Sequence, residues 1–226
     1  MSSIFGKLFE THSNKKYSSQ YFQDKWLHKN VFPKKRRGTF LEIGADDGKD
    51  KSNTLFFEER KNWRGICVEP SPSRFKLLKE NRNCICENYA IAATEGNVEF
   101  MDIRGYGKGL SGIVDSYAPE HRERIEKEMK HPENKGYEMV HVPTIPLRQL
   151  LKKHHIFHVD FCTIDTEGSE LQVVESIDFK SCQFDVILVE NNYDDNSVER
   201  ALEKSGFVLK NKIGIDDVYF NTQFSR

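Results

Sequence analysis

The chain has 226 residues, with 34 Lys and Arg against 35 Asp and Glu, a formal net charge of −1 and 37% hydrophobic residues, enough for one medium-sized core and too little for two large domains. Mean hydropathy is −0.66, and no window approaches the roughly 20 apolar residues that cross a bilayer, which excludes a transmembrane helix. The opening MSSIFGKLFE has no apolar stretch followed by a small-residue cleavage site, so the expected location is cytoplasmic, with no membrane partner.

In chain order, Tyr17 to Lys29 place Tyr21, Phe22, Lys25 and Trp26 at helical spacing, and the basic run Lys34-Lys35-Arg36-Arg37 follows. Residues 1–40 hold nine Lys and Arg against two Asp and Glu, leaving 25 against 33 for the rest. This basic tract on an acidic body is expected to attract an anionic acceptor. Thr39 to Ile43 reads as a buried strand ending in a Gly-bearing loop. Thr54 to Lys61 is helical, Gly65 to Glu69 a strand, Pro72 to Asn81 a helix with Pro in its first turn, and Cys84 to Asn88 a strand.

Residues 97–102 and 139–142 are expected as short extended pieces flanking a charged insertion, residues 105–138, that contains a helix over Glu120 to Lys130 and could act as a lid. Helices over Leu147 to Lys153, Ser169 to Ile177 and Val198 to Ser205 alternate with strands over Phe161 to Asp165 and Val186 to Glu190, and two antiparallel strands close the chain near Phe207 to Lys210 and Val218 to Phe220. Strands alternating with helices imply a mostly parallel sheet covered on both faces. The five cysteines form no C-x-x-C and sit mostly in apolar runs, as buried small hydrophobes do.

Ligands of such sheets bind beyond the carboxyl ends of the strands. Those ends read Glu42-Ile43-Gly44, Glu69-Pro70, Glu87-Asn88, Asp165-Thr166-Glu167 and Glu190-Asn191, and all carry acids or amides. A dinucleotide fingerprint starting at Gly44 fails at Asp46 and Lys49, and no P-loop occurs. Glu42, Asp46 and Asp47 put negative charge where a pyrophosphate needs bare amides, so the loop favours a cationic ligand. S-adenosylmethionine suits it, offering a sulfonium and an ammonium to carboxylates. Glu69, 25 residues after Gly44, stands near the spacing at which a second-strand acid takes ribose hydroxyls.

The combination Ser19-Gln20 with Gln23-Asp24, Phe40 to Gly48 (FLEIGADDG), Ser52-Asn53-Thr54, Trp63-Arg64-Gly65, Val68-Glu69-Pro70 and Ile164 to Gly168 (IDTEG) resembles the FkbM-type methyltransferases over roughly residues 17 to 195. The leading motif departs at Phe22, where that family commonly has Gly. The resemblance implies a class I Rossmann-like fold with a seven-stranded sheet and an antiparallel last strand, S-adenosylmethionine as methyl donor, and a hydroxyl, often on a sugar or natural product, as acceptor. Residues 1–226 are expected to form a single methyltransferase domain, with residues 1–38 as a basic N-terminal helical extension. Glu42, Gly44, Ala45, Asp46, Gly48 and Asn53 would cradle the methionine part, Glu69 and Pro70 the ribose side, and Asn88 with Tyr89 the adenine edge, with Asp165 also in contact with the cofactor.

Asp165 ends one core strand and Glu190-Asn191 the next, a set similar to the Asp, Asp-Asn ligands of metal-dependent catechol-type O-methyltransferases, so Asp165, Glu190 and Asn191 are candidate ligands for Mg²⁺ or Mn²⁺. The position of that group's Lys base is Gly168, which leaves Glu167, His141 and Tyr193 as candidate bases. An alternative assignment has Asp165 and Glu167 capping the helix that follows. A small-molecule or glycan acceptor is expected, and nucleic acid is not, since no RNA-reading aromatic motif is present; the sequence sets no oligomeric state. Two other readings stay open: a metal-independent enzyme with a carboxylate base, and an inactive cofactor-binding protein acting through partners.

Overall fold

A computed structural model describes residues 16–224; the start of the expected basic extension, residues 1–15, lies outside them. The elements in order are α1 (Gln23–Asn30), β1 (Thr39–Ile43), α2 (Leu55–Lys61), β2 (Arg64–Val68), α3 (Pro72–Asn81) and β3 (Ile85–Glu87). Next come β4 (Ala90–Ile91), β5 (Gly96–Ile103), β6 (Gly112–Ile113), α4 (Pro119–Glu128) and β7 (Tyr137–Ile145). The chain continues through α5 (Leu147–Lys153), β8 (His158–Ile164), α6 (Glu170–Glu175), β9 (Gln183–Glu190), α7 (Ser197–Lys204), β10 (Phe207–Ile213) and β11 (Asp216–Asn221).

Seven strands form the main sheet in the order β10-β11-β9-β8-β1-β2-β3. β3, β2, β1, β8 and β9 run parallel, and β11 lies antiparallel to both its neighbours, which is the expected Rossmann-like α/β arrangement. Strand periodicity explains the two layers. Leu41, Ile66 and Cys162 point to the face covered by Leu150 of α5, Val173 of α6 and Leu202 of α7. Their neighbours Phe40, Cys67 and Phe161 point to the face covered by Leu27 of α1, Phe57 of α2 and Leu78 of α3. Since β1, β2, β8 and β9 are buried on both faces, each reads as a nearly continuous apolar run. α3 starts where expected because Pro72 stands at its first turn and Ser71 Oγ accepts from Arg74 N.

Two expectations are corrected. The segments flanking the insertion are one long antiparallel pair, β5 with β7 from Gly96↔Thr144 to Ile103↔Tyr137, inside a second sheet of order β4-β7-β5-β6; much of β7 faces solvent, so its pattern is too polar to read as a strand. The helix expected from Tyr17 begins at Gln23, because Phe22 takes a left-handed backbone (φ 62°). Asp24 also holds the preceding turn, accepting from Ser18 N at 2.7 Å and Ser19 Oγ at 2.6 Å.

The order of the strands reverses between β1 and β8, which opens a crevice at their carboxyl ends. Residues 34–37 precede β1 and therefore stand at the opposite, amino end of the sheet, where Lys35 pairs with Asp160. Their placement removes the basis for steering an acceptor into the crevice. No helix among the described residues is long and apolar enough to cross a membrane.

Candidate active site at the carboxyl ends of the strands

The crevice holds a cavity of about 510 Å³, within the range of small-molecule sites. Its floor is the loop after β1. Gly44 has φ +80°, and a Cβ there would stand 1.6 Å from the Asp165 carbonyl oxygen, so only glycine lets this loop pass so close to the end of β8. Gly48, at φ +73°, turns the loop against Leu78 and Arg82. The spacing E-x-G-x-x-x-G is thus a packing requirement of the floor.

Glu42 is 4% exposed and serves as a hub. Its carboxylate accepts from Ser52 Oγ at 3.0 and 3.1 Å, Asn53 N at 2.9 Å, Thr54 Oγ1 at 2.6 Å and Arg82 at 3.0 Å. Arg82, fully buried, also pairs with Glu58 at 2.6 Å and donates to the Gly48 carbonyl at 3.2 Å. Sequence reasoning missed Arg82, although a buried acid in mid-sheet demands a cation. Asn53 donates to Thr163 Oγ1 at 3.0 Å while its own Oδ1 is buried with no hydrogen-bond partner. That orphaned carbonyl on the cavity wall fits an ammonium donor such as the one S-adenosylmethionine carries.

At the end of β2, each Glu69 oxygen accepts a backbone amide, Asp46 N and Ser71 N, both at 2.8 Å. Burial, then the charge of Asp46, pushes the Glu69 carboxyl up to about 8. Asp46 pairs with Arg74 and lies 3.7 Å from Lys108. Pro70 and Tyr89 line the cavity, as do Ala45 and Asn53. Gly48 and Asn88 stand behind the lining: Asn88 donates to the carbonyls of Glu69 and Pro70, at 2.7 and 3.0 Å, and shapes that turn.

A second group in the cavity is built from Asp165, Glu167 and Glu190, whose carboxylate oxygens lie within 4.8 Å of one another. Asp165 is open to the cavity yet enclosed by protein around it. Burial and the neighbouring Glu190 raise its pKa well above the usual carboxylate range. Glu167 rises likewise through burial and the charge of Asp165. Glu190 is pushed up to about 8, by burial and then by Glu167. Three like charges this close call for a shared proton or a cation. The oxygen donor set fits a hard divalent ion such as Mg²⁺ or Mn²⁺.

Asn191 does not join this group. Its Nδ2 donates to the Asp195 carbonyl and, at 2.7 Å, to Asp217 of the neighbouring β11, its Oδ1 accepts from Asp195 N at 2.9 Å, and it does not line the cavity; Glu167 is the third acid of the group. Neither Asp165 nor Glu167 caps α6, whose start carries no side-chain cap; Glu170 instead holds the turn before the helix, accepting from Thr166 N at 2.9 Å and Gly168 N at 3.1 Å. His141 is exposed on β7, away from the cavity lining. Tyr193 reaches the site through His121, its hydroxyl 3.5 Å from Nδ1. Glu167 Oε2 is buried without a hydrogen-bond partner and stands 3.5 Å from His121 Nδ1 and 3.8 Å from Arg124. Both partners belong to α4; His121 falls in the insertion expected as a lid, while no motif in the sequence announces Arg124.

The sequence profile of the methyltransferase FkbM domain matches residues 42–209. No curated protein matches. Similar solved structures include the fibrillarin of Aeropyrum pernix in complex with natively bound S-adenosyl-L-methionine, at 13% identity over 91% of this chain and 74% of that one, with a TM-score of 0.45. The human methyltransferase 10 domain containing protein is similar at 12% identity over 89% of this chain and 80% of that one, with a TM-score of 0.43.

Proposed function

Because the chain belongs to the methyltransferase FkbM domain family, we propose that it moves the methyl group of S-adenosylmethionine onto a hydroxyl of a sugar-containing or other small polar acceptor. The observation that carries this reading is the junction of two unlike sites in one cavity: a cradle with an orphaned Asn53 carbonyl and Glu69, and beside it three clustered carboxylates. The cofactor, when bound, supplies an electrophilic methyl group on a sulfonium.

Asn53 would accept from the cofactor's ammonium and Glu69 from the ribose hydroxyls. Glu42 acts one step back, holding Ser52, Asn53 and Thr54 in place. Asp165, Glu167 and Glu190 face the acceptor hydroxyl. A divalent ion among them would favour the alkoxide of that hydroxyl; in its absence, the ionised member of the group takes the hydroxyl proton as the C–O bond forms. Positioning of the two reactants in line supplies much of the rate. The insertion closes the acceptor side as a lid, with Tyr106, Lys108 and Arg124 on the cavity wall.

Calorimetry with S-adenosylmethionine and S-adenosylhomocysteine, followed by methyl-transfer assays over a panel of glycans and polyols with and without EDTA, tests the reading. Binding of both cofactor forms, transfer to a hydroxyl, and loss of transfer in EDTA with cofactor affinity retained are expected. Asp165→Asn and Glu190→Gln should reproduce the EDTA result. Full transfer in EDTA would assign the proton transfer to a carboxylate base, with Glu167→Gln as the deciding variant. Absence of cofactor binding would overturn the proposal.

A further inference from the structure

Three thiols lie beneath the cofactor cradle, on one face of the sheet, and the reaction above uses none of them. Parallel pairing sets Cys67 of β2 beside Cys86 of β3, and the strand period puts Cys84 on the same face as Cys86. All three pack in the layer that contains Phe40 and Leu78. Cys67 is fully buried, whereas Cys84 and Cys86 are half-buried. Sγ of Cys84 lies 3.6 Å from Sγ of Cys67, so the two sulfurs already touch. Cys67 also donates to Glu42 Oε2 at 3.5 Å, the same oxygen that Thr54 and Arg82 hold.

We propose that Cys67 and Cys84 are a modification site, joined by a hydroperoxide into a reversible disulfide that loosens the Glu42 hub and weakens the cofactor cradle. The effect on the cradle rests on the cofactor reading given above. Cys84, the more open of the two, gives up its proton and attacks a peroxide oxygen; the O–O bond breaks, the departing hydroxide takes that proton and leaves as water, and Cys84 becomes a sulfenic acid. Cys67 then attacks that sulfur, and the sulfenic oxygen leaves as water. In sum, two thiols and one hydrogen peroxide give one disulfide and two waters, and a dithiol reductant reverses the change.

The disulfide has two consequences at Glu42. The Cys67 proton that Glu42 Oε2 receives is gone, and the Cys67 sulfur is drawn toward Cys84. Ser52, Asn53 and Thr54 hang from that same carboxylate, so the slack passes to the Asn53 carbonyl on the cavity wall. The contact with Cys67 raises the Cys84 thiol, and burial raises Cys67. These raised values keep the attacking thiolate scarce, which makes the response one to sustained oxidant.

The test uses the full chain with Cys86→Ser, in which tryptic peptides 65–74 and 83–104 each carry one cysteine. After hydrogen peroxide and blocking of free thiols, mass spectrometry should find these two peptides cross-linked. Affinity for S-adenosylhomocysteine should fall about three- to tenfold, as expected for one lost hydrogen bond in the cradle, and recover with dithiothreitol. Amide exchange across residues 52–56 should rise with the cross-link. Cys84→Ser should bind S-adenosylhomocysteine like the reduced parent and show none of these responses. The proposal is overturned by absence of the cross-link, or by a cross-link that leaves both affinity and exchange unchanged. Should the reduced protein not bind S-adenosylhomocysteine, the cofactor reading falls, while the cross-link and amide exchange still decide this one.

Discussion

Glu69 is 6% exposed, and both its oxygens are already engaged by backbone amides of the loops it joins. A bound ribose would add hydroxyl donors to the same carboxylate, so Glu69→Ala should weaken S-adenosylhomocysteine binding by about 1–3 kcal/mol, read by calorimetry, with no NAD binding in either form. Its raised pKa, shared by Glu190, has a separate effect. Each goes from the usual 4.5 to about 8 in the folded chain. Between those values the folded state holds protons that the unfolded state has released, so stability falls as pH rises. Thermal unfolding should therefore show both contributions fully present below pH 4.5 and lost as pH climbs toward 8. Glu190→Gln should flatten this slope; an unchanged slope would mean that the acid group does not carry it.

At the scale of elements, the loop after β1 and the end of β8 are held at a distance that only glycine permits. Gly44→Ala would put a methyl group 1.6 Å from the Asp165 carbonyl at a backbone of φ +80°, and should cost about 3 kcal/mol or more of stability together with cofactor binding. Gly96→Ala in β5 is the control: the nearest atom would be 3.6 Å away, and its unfolding midpoint should stay close to that of the parent. These differences in local constraint decide what the sequence makes legible. β1, α3 and α5 are read at their true limits, because a doubly buried strand, a Pro at the first helical turn and a compact apolar stripe are local signals. The pairing of β5 with β7 joins residues about forty apart across polar sequence, so no local pattern reveals it. The same division runs through the site. Glu42, Gly44, Glu69 and Asp165 stand at strand ends and can be found from topology, whereas Arg82, His121 and Arg124 arrive from helices whose direction is fixed only by packing. Asn191 shows the opposite error: a strand-end position is visible in sequence, but the antiparallel neighbour that captures its amide is not.

At the scale of the whole molecule, the sheet separates two charged regions. The acid cluster lies at the carboxyl ends of the strands and the basic run at the amino ends, so the length of β1 alone, roughly 17 Å for five residues, stands between them. That exceeds the screening length of about 8 Å at physiological salt, and steering of an acceptor by residues 34–37 would be damped before it reached the cavity. Their local role is different. Asp160 is 3% exposed, and its carboxylate is held by Lys35 and by the Thr39 amide at 2.7 Å. Replacing Lys34, Lys35, Arg36 and Arg37 by Ser should thus leave S-adenosylhomocysteine affinity and its salt dependence as in the parent. Stability should drop by about 1–3 kcal/mol, because a buried carboxylate loses its cation. Adding Asp160→Asn to the same chain removes the uncompensated charge and should restore most of the loss. A stability left intact by the four substitutions would show that Lys35 contributes nothing to Asp160, and a weakened cofactor affinity would show that the two ends of the sheet are coupled.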